Sequence, residues 1–148
     1  MNLHCYGFTT ESTHLCYDFI SENERGRIRK SVLFMLIDPE EEVYNIAFGD
    51  YNELTGEVDD LSISNNHDGD KVLLTVAAAV FDFSRKHPNA VILAIGSTAV
   101  RMRLYRMKIT KYYENISTLF DVEGYSNGWQ PFQPGIDYEA FLITRKNS

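Results

Sequence analysis

The sequence predicts an α+β fold: a mixed, mainly antiparallel sheet of about six or seven strands carrying two main helices, in the order β-β-β-(β)-α-β-α-β-β. Three observations carry that prediction. Apolar residues alternate at period two through the first third of the chain. They recur at helical spacing from about Lys71 to His87. Five apolar residues in a row, Val91-Ile92-Leu93-Ala94-Ile95, lie between that helix and a second one.

Taken in order, residues 14–21 place Tyr17 and Phe19 on one side of a strand. Glu22-Asn23-Glu24-Arg25-Gly26 reads as a polar turn. Ile28, Val32, Phe34 and Leu36 then share one face, with Arg27, Arg29 and Ser31 opposite. Past Val32 both faces turn apolar (Leu33, Met35, Ile37), which places this end of the strand in the sheet centre. Asp38-Pro39-Glu40-Glu41 is a turn with proline at its second position. Tyr44, Ile46 and Phe48 alternate again, and Gly49-Asp50 ends that strand. Three strands with short links describe an antiparallel meander.

Residues 51–70 are the loosest stretch, with Leu61 and Ile63 as a short optional strand and Asn65 to Asp70 as loop and helix cap. In the first helix Leu73, Val76, Ala77, Val80 and Phe83 form the apolar face. Arg85, Lys86 and His87 suit the negative end of its dipole, and Pro88 stops it. Val91 to Ile95 is a strand buried on both faces. The second helix spans about Ala99 to Tyr113. A hairpin closes the chain, from Thr118–Tyr125 to Tyr138–Thr144 around a long loop holding Trp129 and Pro131.

The chain of 148 residues is read as a single α+β domain over 1–148, long enough to bury roughly two-thirds of its unfolded surface. A net charge of −7 argues against broad binding to nucleic acid or to an anionic membrane, because phosphate affinity needs a cationic surplus. Neither a membrane-length apolar run nor a secretory leader is present, so a cytoplasmic location is expected. Cys5 and Cys16 then read as thiols and not as a disulfide.

Against this acidic background, the second helix opens with Arg101, Arg103, Arg106 and Lys108, directly after the small-residue turn Gly96-Ser97-Thr98. On a wheel of 100° per residue, Val100, Leu104 and Met107 form one apolar stripe. Met102, Tyr105, Ile109, Tyr112 and Tyr113 form a second, nearly opposite. Two stripes predict contacts on two sides, against the sheet and against a loop, a helix or a second subunit. Monomer and homodimer are both open. The arginines admit three readings, one of them solvent-exposed charge with no partner. They bind an anion at a helix start, where unpaired amides and the dipole already favour negative charge. Or they pair internally with the carboxylates crowding residues 50–70, Asp50, Glu53, Glu57, Asp59, Asp60, Asp68 and Asp70.

Other chemistry is thinner. Ser64, Asn66, Asp68 and Gly69 echo a calcium loop, but its first position is serine and its last falls on Thr75. His4, His14, His67 and His87 lack zinc spacing. Ser97 is not a nucleophile elbow, since Ile95 and Ala99 stand where glycines are needed; Ser97 or Thr98 caps the helix instead. With no phosphate loop and no dinucleotide fingerprint, no cofactor and no metal are expected. The tyrosines and Trp129 read as packing residues.

Several of these segments carry a resemblance. Gly26-Arg27-Ile28-Arg29-Lys30, Asn45-Ile46-Ala47-Phe48-Gly49-Asp50, Leu74-Thr75-Val76-Ala77, Gly96-Ser97-Thr98, Arg101 and Arg103-Leu104-Tyr105 together resemble a family of small bacterial proteins known only as a domain of unknown function. A more distant likeness is topological. Helix, buried strand, helix with Leu104-Tyr105 near its middle, then hairpin is similar to the C-terminal half of the GNAT acyltransferase superfamily. That likeness implies acetyl-CoA held before the first helix. Here the corresponding Asn66-His67-Asp68-Gly69-Asp70-Lys71 puts two aspartates where a pyrophosphate would sit. It also implies a role for Tyr105 in protonating a thiolate.

The candidate ligand-binding set is therefore Gly96, Ser97, Thr98, Arg101, Arg103, Tyr105 and Arg106, with Asp50 at a strand end; no catalytic residue is assigned. The leading expectation is a non-enzymatic binding domain for an anionic small molecule or an acidic protein partner. The alternatives are a diverged GNAT-like acyltransferase and a component of a toxin–antitoxin-like or defence module.

Overall fold

The structure, a computed structural model, describes residues 5–23, 26–59, 69–96 and 98–146. Its elements run β1 (Phe8–Thr10), β2 (Cys16–Asn23), β3 (Gly26–Asp38), β4 (Val43–Asn52), β5 (Glu57–Asp59), α1 (Gly69–Lys86), β6 (Val91–Ala94), α2 (Ala99–Lys111), α3 (Tyr113–Ile116), β7 (Phe120–Tyr125), β8 (Trp129–Pro131) and β9 (Ala140–Arg145). The fold is α+β. Strand order is β1-β2-β3-β4-β6-β9-β7-β8, with β5 pairing β4 beside that path. Among the described residues β4 and β6 pair in parallel and the other registered pairs are antiparallel, so the sheet is mixed and mainly antiparallel.

The described strands number nine, against the expected six or seven. Beyond the six firm expectations stand β1, β5 and β8, each three residues long. Such strands are too short to show a period in sequence. A short strand does follow β4, at Glu57–Asp59; Leu61 and Ile63 lie outside the described residues. The second helix is broken at Tyr112, which caps α2 and opens the short α3.

The residues gather into two compact units, 1–34 with 47–87, and 35–46 with 88–148. In the first, α1 lays Val72, Val76, Ala79, Val80 and Phe83 on the sheet. These positions follow the 3.6-residue period and stand over Tyr17, Phe19, Val32 and Phe34 of the strands. Phe83 stacks on Phe34 with ring centroids 4.0 Å apart, and Phe34 meets Tyr17 edge-on. Buried Thr75 accepts from the Tyr6 amide and donates to the Lys71 carbonyl, which satisfies its hydroxyl.

In the second unit Ile92 and Ala94 of β6, Phe120 and Val122 of β7, and Ala140 and Phe141 of β9 are buried. Phe132, Tyr138 and Phe141 form a ring cluster. Tyr138 lies flat on Gly124 of β7, where a Cβ would fall 2.3 Å from its ring. Its hydroxyl donates to the Pro131 carbonyl and accepts from Gln130 Nε2 and the Gln133 amide, tying down the loop before β9.

One expectation fails at the far end of β3. Met35, Leu36 and Ile37 are exposed rather than central. The β2 partner ends at the Cys16–Leu33 pair, followed only by a Phe34 amide bond to the Leu15 carbonyl. An apolar run shows what a strand could bury, not how long its neighbours are.

Candidate functional site

The α2 start is built from a close backbone approach. A Cβ on Gly96 would lie 2.4 Å from the Met102 amide nitrogen and 2.9 Å from the Arg101 carbonyl carbon, so only glycine lets the first helical turn fold back this tightly. Thr98 is the N-cap, extended at φ −134 and ψ 162; its Oγ1 accepts from the Arg101 amide and its carbonyl from the Met102 amide. Ser97 lies outside the described residues.

The arginines are not equivalent. Arg101 is 3 % exposed and engaged within the protein. Arg106 is half-buried: its Nη1 donates to the Tyr138 carbonyl at 3.3 Å, and Nε lies 3.7 Å from the Asp137 carboxylate. Arg103 is exposed and, among the described residues, its guanidinium makes no hydrogen bond or ion pair. Tyr105 is half-buried and engaged within the protein. No acidic residue lies in the first turn of α2. The two apolar stripes also part company. Met102 is buried, whereas Val100 is 64 % and Met107 55 % exposed.

Asp50 belongs to the first unit and the α2 residues to the second. β4 does not stop at Asp50 but runs on to Asn52. The Asp50 carboxylate accepts from the Lys30 ammonium, whose side chain is only 7 % exposed. Among the described residues Lys30 is the one buried lysine, and burial of an ammonium demands such a partner.

Sequence reasoning missed a polar network at the C-terminal half of α1. Asp82 Oδ2 accepts from Tyr17 Oη at 2.7 Å and lies 2.8 Å from His14 Nδ1; its Oδ1 accepts from Arg85 at 2.9 Å. Burial alone would raise the Asp82 carboxyl, but the bonds from Tyr17, His14 and Arg85 outweigh it and hold it below the usual range. Tyr17 is pushed well above the ordinary phenol range, first by burial and then by the Asp82 bond. His14 has φ 56, the left-handed region. Sixty-eight residues separate His14 from Asp82, so no local spacing announces the pair.

Before it, the Glu11 carboxylate accepts from the Thr13 hydroxyl and from the amides of Thr13, Leu15 and Cys16. The Thr13 hydroxyl is the chief cause that lowers Glu11 to about 2. The Cys16 thiol is raised by burial and by the Asp18 charge, so it stays protonated and is a poor nucleophile. Among the described residues no cluster of three His, Cys, Asp or Glu side chains could hold a metal ion, and no helix is long and apolar enough to cross a membrane. His67 and the Ser64–Asp68 calcium-loop echo lie outside the described residues.

The family model described as "Family of unknown function (DUF6934)" matches residues 2–146, nearly the whole chain. The chain belongs to that family. No curated protein and no solved structure matches it. The span of the DUF6934 match takes in both compact units.

Proposed function

We propose that this DUF6934 chain is a non-enzymatic binding domain that takes an anionic ligand, or an acidic partner surface, at the start of α2. The carrying observation is Arg103: an exposed guanidinium without a protein partner among the described residues, on a helix whose first turn holds no carboxylate. Helical side chains lean toward the N-terminus, so Arg103 reaches back over the opening turn. That turn carries about half a positive charge, and a cation near it is disfavoured by roughly 0.3–1 kcal/mol unless an anion sits beside it. Gly96 and Thr98 set the turn, and Arg101, Tyr105 and Arg106 hold the helix in place around it. Asp50 is occupied with Lys30 and lies outside this reading.

The test is a thermal-shift screen with inorganic phosphate, nucleotides, CoA and short RNA, run on the native chain and on Arg103→Ala. Stabilisation by one probe that the variant loses supports the reading. Equal shifts in both proteins, or none, contradict it.

The strand order favours one second reading, a diverged GNAT-like acyltransferase. Parallel β4 and β6 flank α1 in sequence, and β9 inserts between β6 and β7. This keeps the element order on which the likeness rests. Acetyl-CoA stabilising both native chain and Arg103→Ala, with acetyl transfer to an amine, would favour it over the first.

A further inference from the structure

We propose that the first unit carries a second site, a receptor for a small zwitterion: an α-amino acid with an apolar side chain. The site lies on the sheet face turned away from α1. Alternation along β2 and β3 sends Tyr17, Phe19, Val32 and Phe34 toward α1, and Asp18, Arg29, Ser31 and Leu33 to the other face. There they line a cleft with Tyr51 and Val58, which are paired across β4 and β5.

The cleft is lined by two carboxylates, Asp18 and Glu57, and one guanidinium, Arg29; Asp18 and Arg29 are each supported by something other than the other. Ser31, directly across the ladder from Asp18 and 1 % exposed, donates its hydroxyl to Asp18 Oδ1. The Arg29 guanidinium lies over the Tyr51 ring, 3.8 Å from its centroid. Between the two charges the N–O approach, from Arg29 Nη2 to Asp18 Oδ1, is 3.4 Å. A closed charge-assisted pair sits at about 2.7–2.9 Å and is often bidentate. The pair is therefore open. Asp18 Oδ2 and the remaining guanidinium donors have no protein partner among the described residues.

Such an arrangement matches a ligand with its own charges one carbon apart. The ligand carboxylate takes the unused guanidinium donors, and its ammonium donates to Asp18 Oδ2. Leu33 and Val58 give an apolar wall for the side chain. Because Ser31 and Tyr51 already fix the two charges, little ordering is left for binding to pay. The interaction is non-covalent, and this site is independent of the one at α2.

The experiment is a calorimetric titration of the full chain with L-leucine, beside leucinamide, which lacks the carboxylate, and 4-methylpentanoate, which lacks the ammonium. Saturable L-leucine binding is expected, weakened at least ~10-fold in each analogue and in Asp18→Asn and Arg29→Lys. Arg103→Ala is expected to bind L-leucine as the native chain does. The analogues keep the test open if a variant fails to fold. No saturable binding of L-leucine or L-phenylalanine at about 10 mM overturns the proposal. So does equal binding of leucine and both analogues, or loss of binding in Arg103→Ala.

Discussion

Gly96 and Met102 touch twice: the Met102 amide nitrogen sits where a Gly96 Cβ would fall, at 2.4 Å, and the Gly96 amide donates to Met102 Sδ at 3.3 Å. The turn and the first turn of α2 are thus one packed object. The obstacle to a side chain is backbone, which cannot swing aside. Gly96→Ala should lose roughly 1–3 kcal/mol of stability by overpacking, read as a lower urea midpoint at unchanged slope. A variant as stable as the native chain would mean that the approach is looser than described.

The two exposed-to-half-buried arginines should separate. Arg106→Ala removes a hydrogen bond to the carbonyl of Tyr138, whose ring packs against Phe132 and Phe141. A loss of about 1 kcal/mol is expected. The Asp137 carboxylate, fully in solvent, should add little. Arg103→Ala should leave stability within about 0.5 kcal/mol. Thermal denaturation of both variants checks the contrast.

Buried Lys30 pairs with half-buried Asp50, and breaking the pair from one side should cost more than replacing both. Asp50→Asn or Lys30→Met is expected to lose about 1–3 kcal/mol, because a charge-assisted hydrogen bond at a buried ammonium is removed. The double variant Lys30→Met with Asp50→Leu should recover much of that loss. A double-mutant cycle in urea reads the coupling. Additive losses would show that the two side chains do not depend on each other.

Acid should loosen the segment around the β1–β2 turn and its anchor on α1. Asp82 and Glu11 are both held below their ordinary values, so each contributes stability that is complete above its unfolded value and lost as pH falls through its folded one. For Glu11 that window runs from about 4.5 down to about 2. Asp82→Asn should flatten the decline below pH 3.8, and Glu11→Gln should flatten the part between 4.5 and 2. Melting temperature against pH is the measurement. Unchanged acid slopes in both variants would remove these carboxylates from the account.

How far the sequence could be read follows from the range of each interaction. The periods of Tyr44-Ile46-Phe48 and of Val76-Val80-Phe83 are local, and both elements stand where they were expected. The Thr98 cap and the stop after α1 at Pro88 are equally local. What local reading misplaced was set by neighbours. Met35 to Ile37 read as central because they are apolar, yet β2 ends before it reaches them. Arg101, Arg103 and Arg106 read as one cluster, yet packing buries the first, exposes the second and gives the third to Tyr138. Asp18 with Ser31, and His14 with Asp82, meet only through strand register or tertiary packing, which no spacing encodes.

The most direct test of the proposed α2 site is a titration of phosphate-bearing probes into the native chain and into Arg103→Ala at low salt. At least one probe should bind saturably, weaken as salt rises, and lose about tenfold or more in affinity for the variant, whose melting temperature without ligand is unchanged. No saturable binding by any probe, or equal binding to both proteins, would contradict it.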